Sequence, residues 1–345
     1  MKLKFRLVAG TLIWLAWTAS QMPLPLEAAW ARMLLLFAPL VIVPVGLDLA
    51  ALHLPEEGRR AYFLPLIKNW QLPSAALLCL AYSLPQGMSA GLLAVPWLLE
   101  TLLIAFFGFN RPYSDLCAPA HKPSKFIAFE KASCKKFRIK SNNLMKKEGR
   151  ALPGLSISMG MVYLSVGGIW AVVDRMGIRP FMFSPEIVFL TVAHFHYAGF
   201  VLPIVAGLVI LKIKNRWANM AVAGILSGVA WVAVGITASQ FGGSREIESF
   251  AAWWLALSAV LLAFFQVKLA LRKNGNPLVS MFWAVAAVSL TGSMALAGLY
   301  GMRHVFPVSG LDIAMMRALH GSANVFGFGL FALLGWWLEF SGLVE

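Results

Sequence analysis

The chain has 345 residues, of which 59% are hydrophobic and 13% charged, and a formal net charge of +14. With a mean hydropathy of +0.74, it carries far more apolar surface than a water-soluble domain can hide. The excess of cations points to nucleic acid in a soluble protein, but here it is accounted for by placement at a bilayer, and no nucleic-acid partner is expected.

Apolar stretches recur at the length needed to cross a hydrocarbon core, about 20 helical residues. They predict spanning helices at 7–21, 32–52, 71–85, 89–109, 153–173, 185–211, 217–238, 250–271, 277–300 and 313–339. The expected fold is therefore all-α, a polytopic transmembrane bundle of about ten helices. A membrane β-barrel is excluded, because its strands would alternate in polarity over segments of about ten residues. Residues 1–21 also have the anatomy of a signal peptide, with basic, apolar and small-residue regions in order, but the match to a cleavage site is weak. They are read as a retained first helix.

The chain divides into residues 1–110 with four spans, a basic loop at 111–152, and residues 153–345 with six spans. With the N-terminus inside, 23 of the 29 Lys and Arg residues fall on inner segments, which is the positive-inside pattern of a cytoplasmic membrane and puts the C-terminus inside as well. The stretch 111–150 holds eight of the fifteen lysines. It reads as a solvated loop touching anionic lipid headgroups, and its abrupt composition change also fits a shifted reading frame. Cys79, Cys117 and Cys134 form no CxxC pair, so neither a disulfide framework nor a thiolate metal site is expected.

Ionisable groups at membrane depth are costly and mark functional sites by default. His194 and His196 lie in the sixth span, roughly 14 Å from its outer end at 1.5 Å per residue. Two residues apart on a helix they point about 200° away from one another, so a joint chelate would need local unwinding. Tyr197 shares the face of His194. In the last span Arg317, His320 and Asn324 fall on one stripe, among small residues that allow close helix approach. Packing this stripe on the sixth span would bring His320 to His194 or His196. Asp48 and Glu100 are further candidates as buried proton-carrying carboxylates. Glu186 reads as a first-turn carboxylate, Asp174, Arg175 and Asp312 as boundary charges, and several tryptophans, including Trp336 and Trp337, as interfacial anchors.

These residues support three readings. The favoured one is a transporter passing a small solute or proton along a polar path lined by His194, His196, Tyr197, His320 and Asn324. In the second, the protein is a membrane oxidoreductase or sensor that holds haem or a transition metal through His194, His196 and His320, since neutral imidazole ligates iron, copper and zinc. In the third the histidines are structural and the protein is a scaffold. No phosphate loop, metalloprotease helix or nucleophile elbow is present, so an enzyme of those soluble types is not expected.

The run His194-Phe195-His196-Tyr197-Ala198-Gly199-Phe200 and the pair Leu319-His320-Gly321-Ser322-Ala323-Asn324 and Phe326-Gly327-Phe328-Gly329 resemble the YndJ-like family of bacterial membrane proteins. The likeness extends over most of the membrane part and fades at 111–150. It implies a multi-spanning membrane protein, in some descriptions a transporter. Only His194, His196, Tyr197, Gly199, His320, Gly321 and Asn324 carry over, and the resemblance assigns them no roles.

Overall fold

The computed structural model describes residues 1–21, 26–52, 60–109, 151–272, 275–303 and 306–341. The readings made for 111–150, including contact with anionic lipid, lie outside them. Within the described residues the chain is helical and contains no strand. Numbered in chain order, the helices are α1 (Leu3–Ser20), α2 (Leu26–Phe37, continued through Ala38–Ile42 and Val43–Ala51), α3 (Arg60–Ser83), α4 (Met88–Phe109) and α5 (Ala151–Met176). They continue with α6 (Pro185–His196, Tyr197–Val201, Leu202–Lys212), α7 (Arg216–Gln240), α8 (Arg245–Ala270), α9 (Pro277–Gly301) and α10 (Ile313–Met315, Met316–Gly321, Ala323–Leu330, Phe331–Ser341).

These ten described helices correspond one to one with the ten expected spans. Eight, α2 and α4 to α10, are long and apolar enough to cross a membrane. The other two carry Lys4 and Arg6 in α1, and Lys68, Asn69 and Gln71 in α3. Helix α3 also begins eleven residues before the expected start at 71, because its polar residues have partners. Lys68 pairs with Asp48 at 3.0 Å, and Asn69 accepts from the N-terminal amine at 2.6 Å.

A helix that is apolar on all sides belongs in the middle of a bundle. Helix α2 follows this rule, with nearly every side chain from Ala29 to Ala51 buried, and α6 is the next most enclosed. Around them α4 packs on α3 and α5, while α7, α8 and α9 form a consecutive layer that continues onto α10. Exposed apolar side chains such as Phe5, Leu12, Leu92, Phe106, Leu257 and Val288 cover the outside, as contact with lipid requires.

Both central helices widen to π geometry at the same distance before a proline. The π segment of α2 is Ala38–Ile42, ahead of Pro44, and that of α6 is Tyr197–Val201, ahead of Pro203. Proline has no N–H to give, so the chain advances by one residue: Val43 N bonds Ala38 O, and Leu202 N bonds Tyr197 O. In this register the five-on partner of the Pro39 carbonyl is Pro44, which cannot donate. Gln71 Nε2 of α3 supplies that bond instead, at 2.6 Å. Just beyond the π segment of α2, Gly46 lies against the ring of Phe200 in the π segment of α6. Helix α10 has π geometry over Met316–Gly321 and Ala323–Leu330 with no proline.

Helix starts follow their capping residues. Ser184, Asn215, Asn276 and Asp312 each accept from a backbone N–H of the first turn, satisfying donors the helix itself cannot. Ion pairs collect at helix ends. Arg6 and Lys68 share Asp48, and Lys212 and Arg272 share Glu339. At the opposite ends Arg303 pairs with Glu248 and Arg317 with Glu186. Asp174 and Arg175, expected as ordinary boundary charges, are each only 3% exposed. Arg175 reaches the carbonyls of Ala81 and Leu84 at the end of α3 and stacks 4.4 Å from the Tyr82 ring centroid, so this pair locks α5 onto α3. Trp336 is likewise no interfacial anchor: it is fully buried against Trp283, ring centroids 4.7 Å apart. Trp70, Trp217, Trp253 and Trp254 are exposed.

Helix α1 touches α2 at Gly10, where a Cβ would stand 2.1 Å from the Leu40 carbonyl oxygen. Both sides of that contact are main chain, so neither can turn aside. Gly10→Val is expected to cost about 3 kcal/mol by forcing the helices apart, read as a lower unfolding midpoint in detergent. An unchanged midpoint would mean that α1 does not pack there.

Candidate functional site

Helix α6 sends its two histidines in opposite directions, as their spacing requires. His196 is fully buried toward α4, where its Nε2 accepts from Trp97 Nε1 at 3.0 Å and its Nδ1 lies 2.8 Å from the Val192 carbonyl. A carbonyl only accepts, so Nδ1 carries the proton and Nε2 offers the lone pair. Both ring nitrogens are engaged, and the neighbouring Gly167 leaves no space for a Cβ beside the ring. His196 is thereby a cross-helix fastener, with neither nitrogen left for a metal or a solute.

His194 faces α10. Its ring lies 6.4 Å from that of His320, centroid to centroid, with the planes 27° apart. The two rings are held alike: His194 Nδ1 is 2.8 Å from the Leu190 carbonyl and His320 Nδ1 is 2.8 Å from the Ser293 carbonyl of α9. Each therefore donates from Nδ1 and keeps its lone pair on Nε2, which in His320 is turned to the Asn324 amide. Asn324 Nδ2 lies 3.3 Å from His320 Nε2 and donates to the His320 carbonyl at 2.9 Å. Its Oδ1 lies 3.1 Å from the Ser293 hydroxyl. No residue among those described partners His194 Nε2, and His194 is exposed although it sits deep in a spanning helix.

The surrounding helices hold this pair in place. Tyr197 OH donates to the Leu34 carbonyl of α2 at 2.6 Å, and Trp30 Nε1 to Ser322 Oγ of α10 at 3.0 Å. Tyr197 is thus a strut between α6 and α2. One turn before His320, Arg317 pairs with Glu186 at 2.8 Å and joins α10 to the first turn of α6. Glu186 is in the first turn of α6, as expected, and has this partner as well. All three helices that carry these groups have π segments nearby, a distortion frequent at functional sites.

The other two candidates are not joined to the His194–His320 pair. Asp48 is neutralised between Arg6 at 2.6 Å and Lys68 at 3.0 Å. Glu100 in α4 is 2% exposed and neither carboxylate oxygen has a hydrogen-bond partner. Ser293, Trp97 and Trp30 had no signal in the sequence, because a serine or tryptophan in an apolar span is ordinary. Gln71 did carry one, as a fully polar amide within a spanning helix.

His194 and His320 form a two-imidazole donor set. The expected three-histidine ligand set does not assemble, because His196 points to the opposite side of α6. Among the described residues no three His, Cys, Asp or Glu side chains gather as a metal shell.

The family model described as YndJ-like protein matches residues 33–328. The uncharacterized membrane protein YndJ of Bacillus subtilis (strain 168) is 30% identical over 190 residues, which cover 53% of this chain and 33% of that protein. The chain thus matches about a third of the length of this curated relative. No solved structure matches.

Proposed function

The chain belongs to the YndJ-like family of multi-pass membrane proteins, and from that premise we propose that it is a transporter of the cytoplasmic membrane that moves a proton, alone or with a small solute, through the His194–His320 pair. The observation that carries this reading is the pair itself: two rings 6.4 Å apart at membrane depth, each fixed by an Nδ1 bond to a main-chain carbonyl. A proton arriving at one Nε2 leaves both rings with a settled orientation, and Asn324 and Ser293 offer the hydrogen-bond exchange that a relay uses. The charge asymmetry of the loops and the even number of described helices support an orientation with both ends in the cytoplasm. Proteoliposomes enclosing a pH-sensitive dye test the proposal: proton flux is expected with the wild-type chain and absent with His320→Ala.

One observation favours a second reading. Metal-bound imidazoles almost always donate their other N–H to a carbonyl or carboxylate, and both His194 and His320 do so. The pair would supply two nitrogen ligands to a transition metal or to haem iron. Metal analysis and the oxidised and reduced spectra of the detergent-purified chain decide between the readings. Stoichiometric metal or a Soret band, lost in His194→Ala and His320→Ala, assigns the cofactor; a colourless, metal-free and flux-competent protein assigns transport.

A further inference from the structure

Helices α1 to α4 carry a second set of polar side chains, separate from the histidine pair. At its mouth Asp48 is shared by Arg6 and Lys68. Deeper in, Arg6 is fully buried and uses Nη2 for Asp48, which leaves Nε and Nη1 without partners. Gln71 is fully buried too. Its Nε2 serves the Pro39 carbonyl and its Oε1 is unpartnered. Both oxygens of Glu100, 2% exposed, complete the set.

These groups lie at neighbouring levels. Phe63 of α3 meets Phe106 of α4 with ring centroids 5.5 Å apart, which fixes the register of two antiparallel helices. Eight residues on, Gln71 comes level with Leu98, less than a turn from Glu100. The other titratable or charged groups described on the elements packed against α4 are Lys68, Cys79 and Tyr82 on α3, Tyr163, Asp174 and Arg175 on α5, and His196 of α6 through Trp97. Thr101, beside Glu100, faces Gly168 of α5.

A carboxylate cut off from water with no hydrogen bond is among the costliest groups a membrane protein can hold, and the cost falls when a cation or proton reaches it. Donors on Arg6 and acceptors on Gln71 and Glu100 are all left unmatched, the composition of a polar route. Of Arg6, Lys68 and Asp48, one positive charge remains to balance an ionised Glu100. We infer that Glu100 is a proton-binding site, loaded from the Asp48–Lys68 end of this group.

A hydrophobic carbodiimide, N,N′-dicyclohexylcarbodiimide, reports on this directly. The protonated carboxyl adds across one C=N bond, its proton passing to nitrogen with no group lost, and rearrangement gives a stable N-acylurea. The full-length chain in detergent is treated from acid to alkaline pH and mapped by peptide mass spectrometry. The expected result is an adduct on Glu100 that declines toward alkaline pH and is lost in Glu100→Gln, with the unfolding midpoint kept. The wild-type map decides even if that variant fails to fold. Absence of a Glu100 adduct in acid would overturn the inference. So would suppression by sodium against choline at constant pH, which assigns a metal cation instead. The readout does not depend on flux through His194 and His320, so either proposal can fail alone.

Discussion

Proton flux in proteoliposomes is expected to fall by about 100-fold or more in His320→Ala and in His194→Ala, the lower range of what a positioned acid–base group contributes. Neither substitution should unfold the chain. His194 is exposed and its main-chain bond is to its own helix. His320 is half-buried, and Asn324 retains its bond to the residue-320 carbonyl whatever side chain stands there. Because the two rings act on one proton, the double variant should lose little more than either single one, whereas independent sites would add. His320→Gln, which keeps polarity but cannot hold a proton at neutral pH, should match His320→Ala. Wild-type rates in a well-folded His194→Ala, His320→Ala double variant would remove the pair from the path.

His196→Ala is expected to behave in the opposite way, costing about 3 kcal/mol of stability. The change opens a cavity between α4, α5 and α6 and leaves the Trp97 indole N–H without a partner in a region of no exposure. Cavity and orphaned-donor costs of this kind each run to about 1–3 kcal/mol. The unfolding midpoint in detergent checks it, with folded-fraction proton flux near wild type at permissive temperature. Trp97→Phe, which keeps the ring and removes the donor, should lose a smaller part of the same stability. A His196→Ala protein as stable as wild type but unable to pass protons would put His196 back on the path and contradict the fastener role.

The contrast between the two histidines of one motif shows how far the sequence reaches. Their spacing already separates them, since residues two apart on a helix cannot share a face. It does not say which faces α4 and which faces α10. Trp97 has no mark distinguishing it from an interfacial tryptophan, and Ser293 none distinguishing it from a spacer in an apolar helix, yet the indole engages His196 Nε2 and the main-chain carbonyl of residue 293 engages His320 Nδ1. Asp48 was visible as a carboxylate near the inner end of its span, but Arg6 was visible only as one of the inner cations. Their pairing joins residues 42 positions apart.

The all-helical, membrane-spanning character and the approximate limits of ten helices follow from sequence alone, because crossing hydrocarbon demands runs of apolar residues whose backbone bonds close within the segment. Pro44 and Pro203 are residues with no N–H to donate, which is a property of the sequence as well. What the tertiary structure decided is the partnership of each polar group: the π segments that absorb those prolines, the amide of Gln71 that replaces the missing donor, the burial of Asp174 and Arg175, the meeting of His194 with His320, and the isolation of Glu100. Hydropathy is a property of one segment and can be summed along the chain. Hydrogen bonds and ion pairs between helices depend on rotation and register, which are fixed only when every helix has found its neighbours.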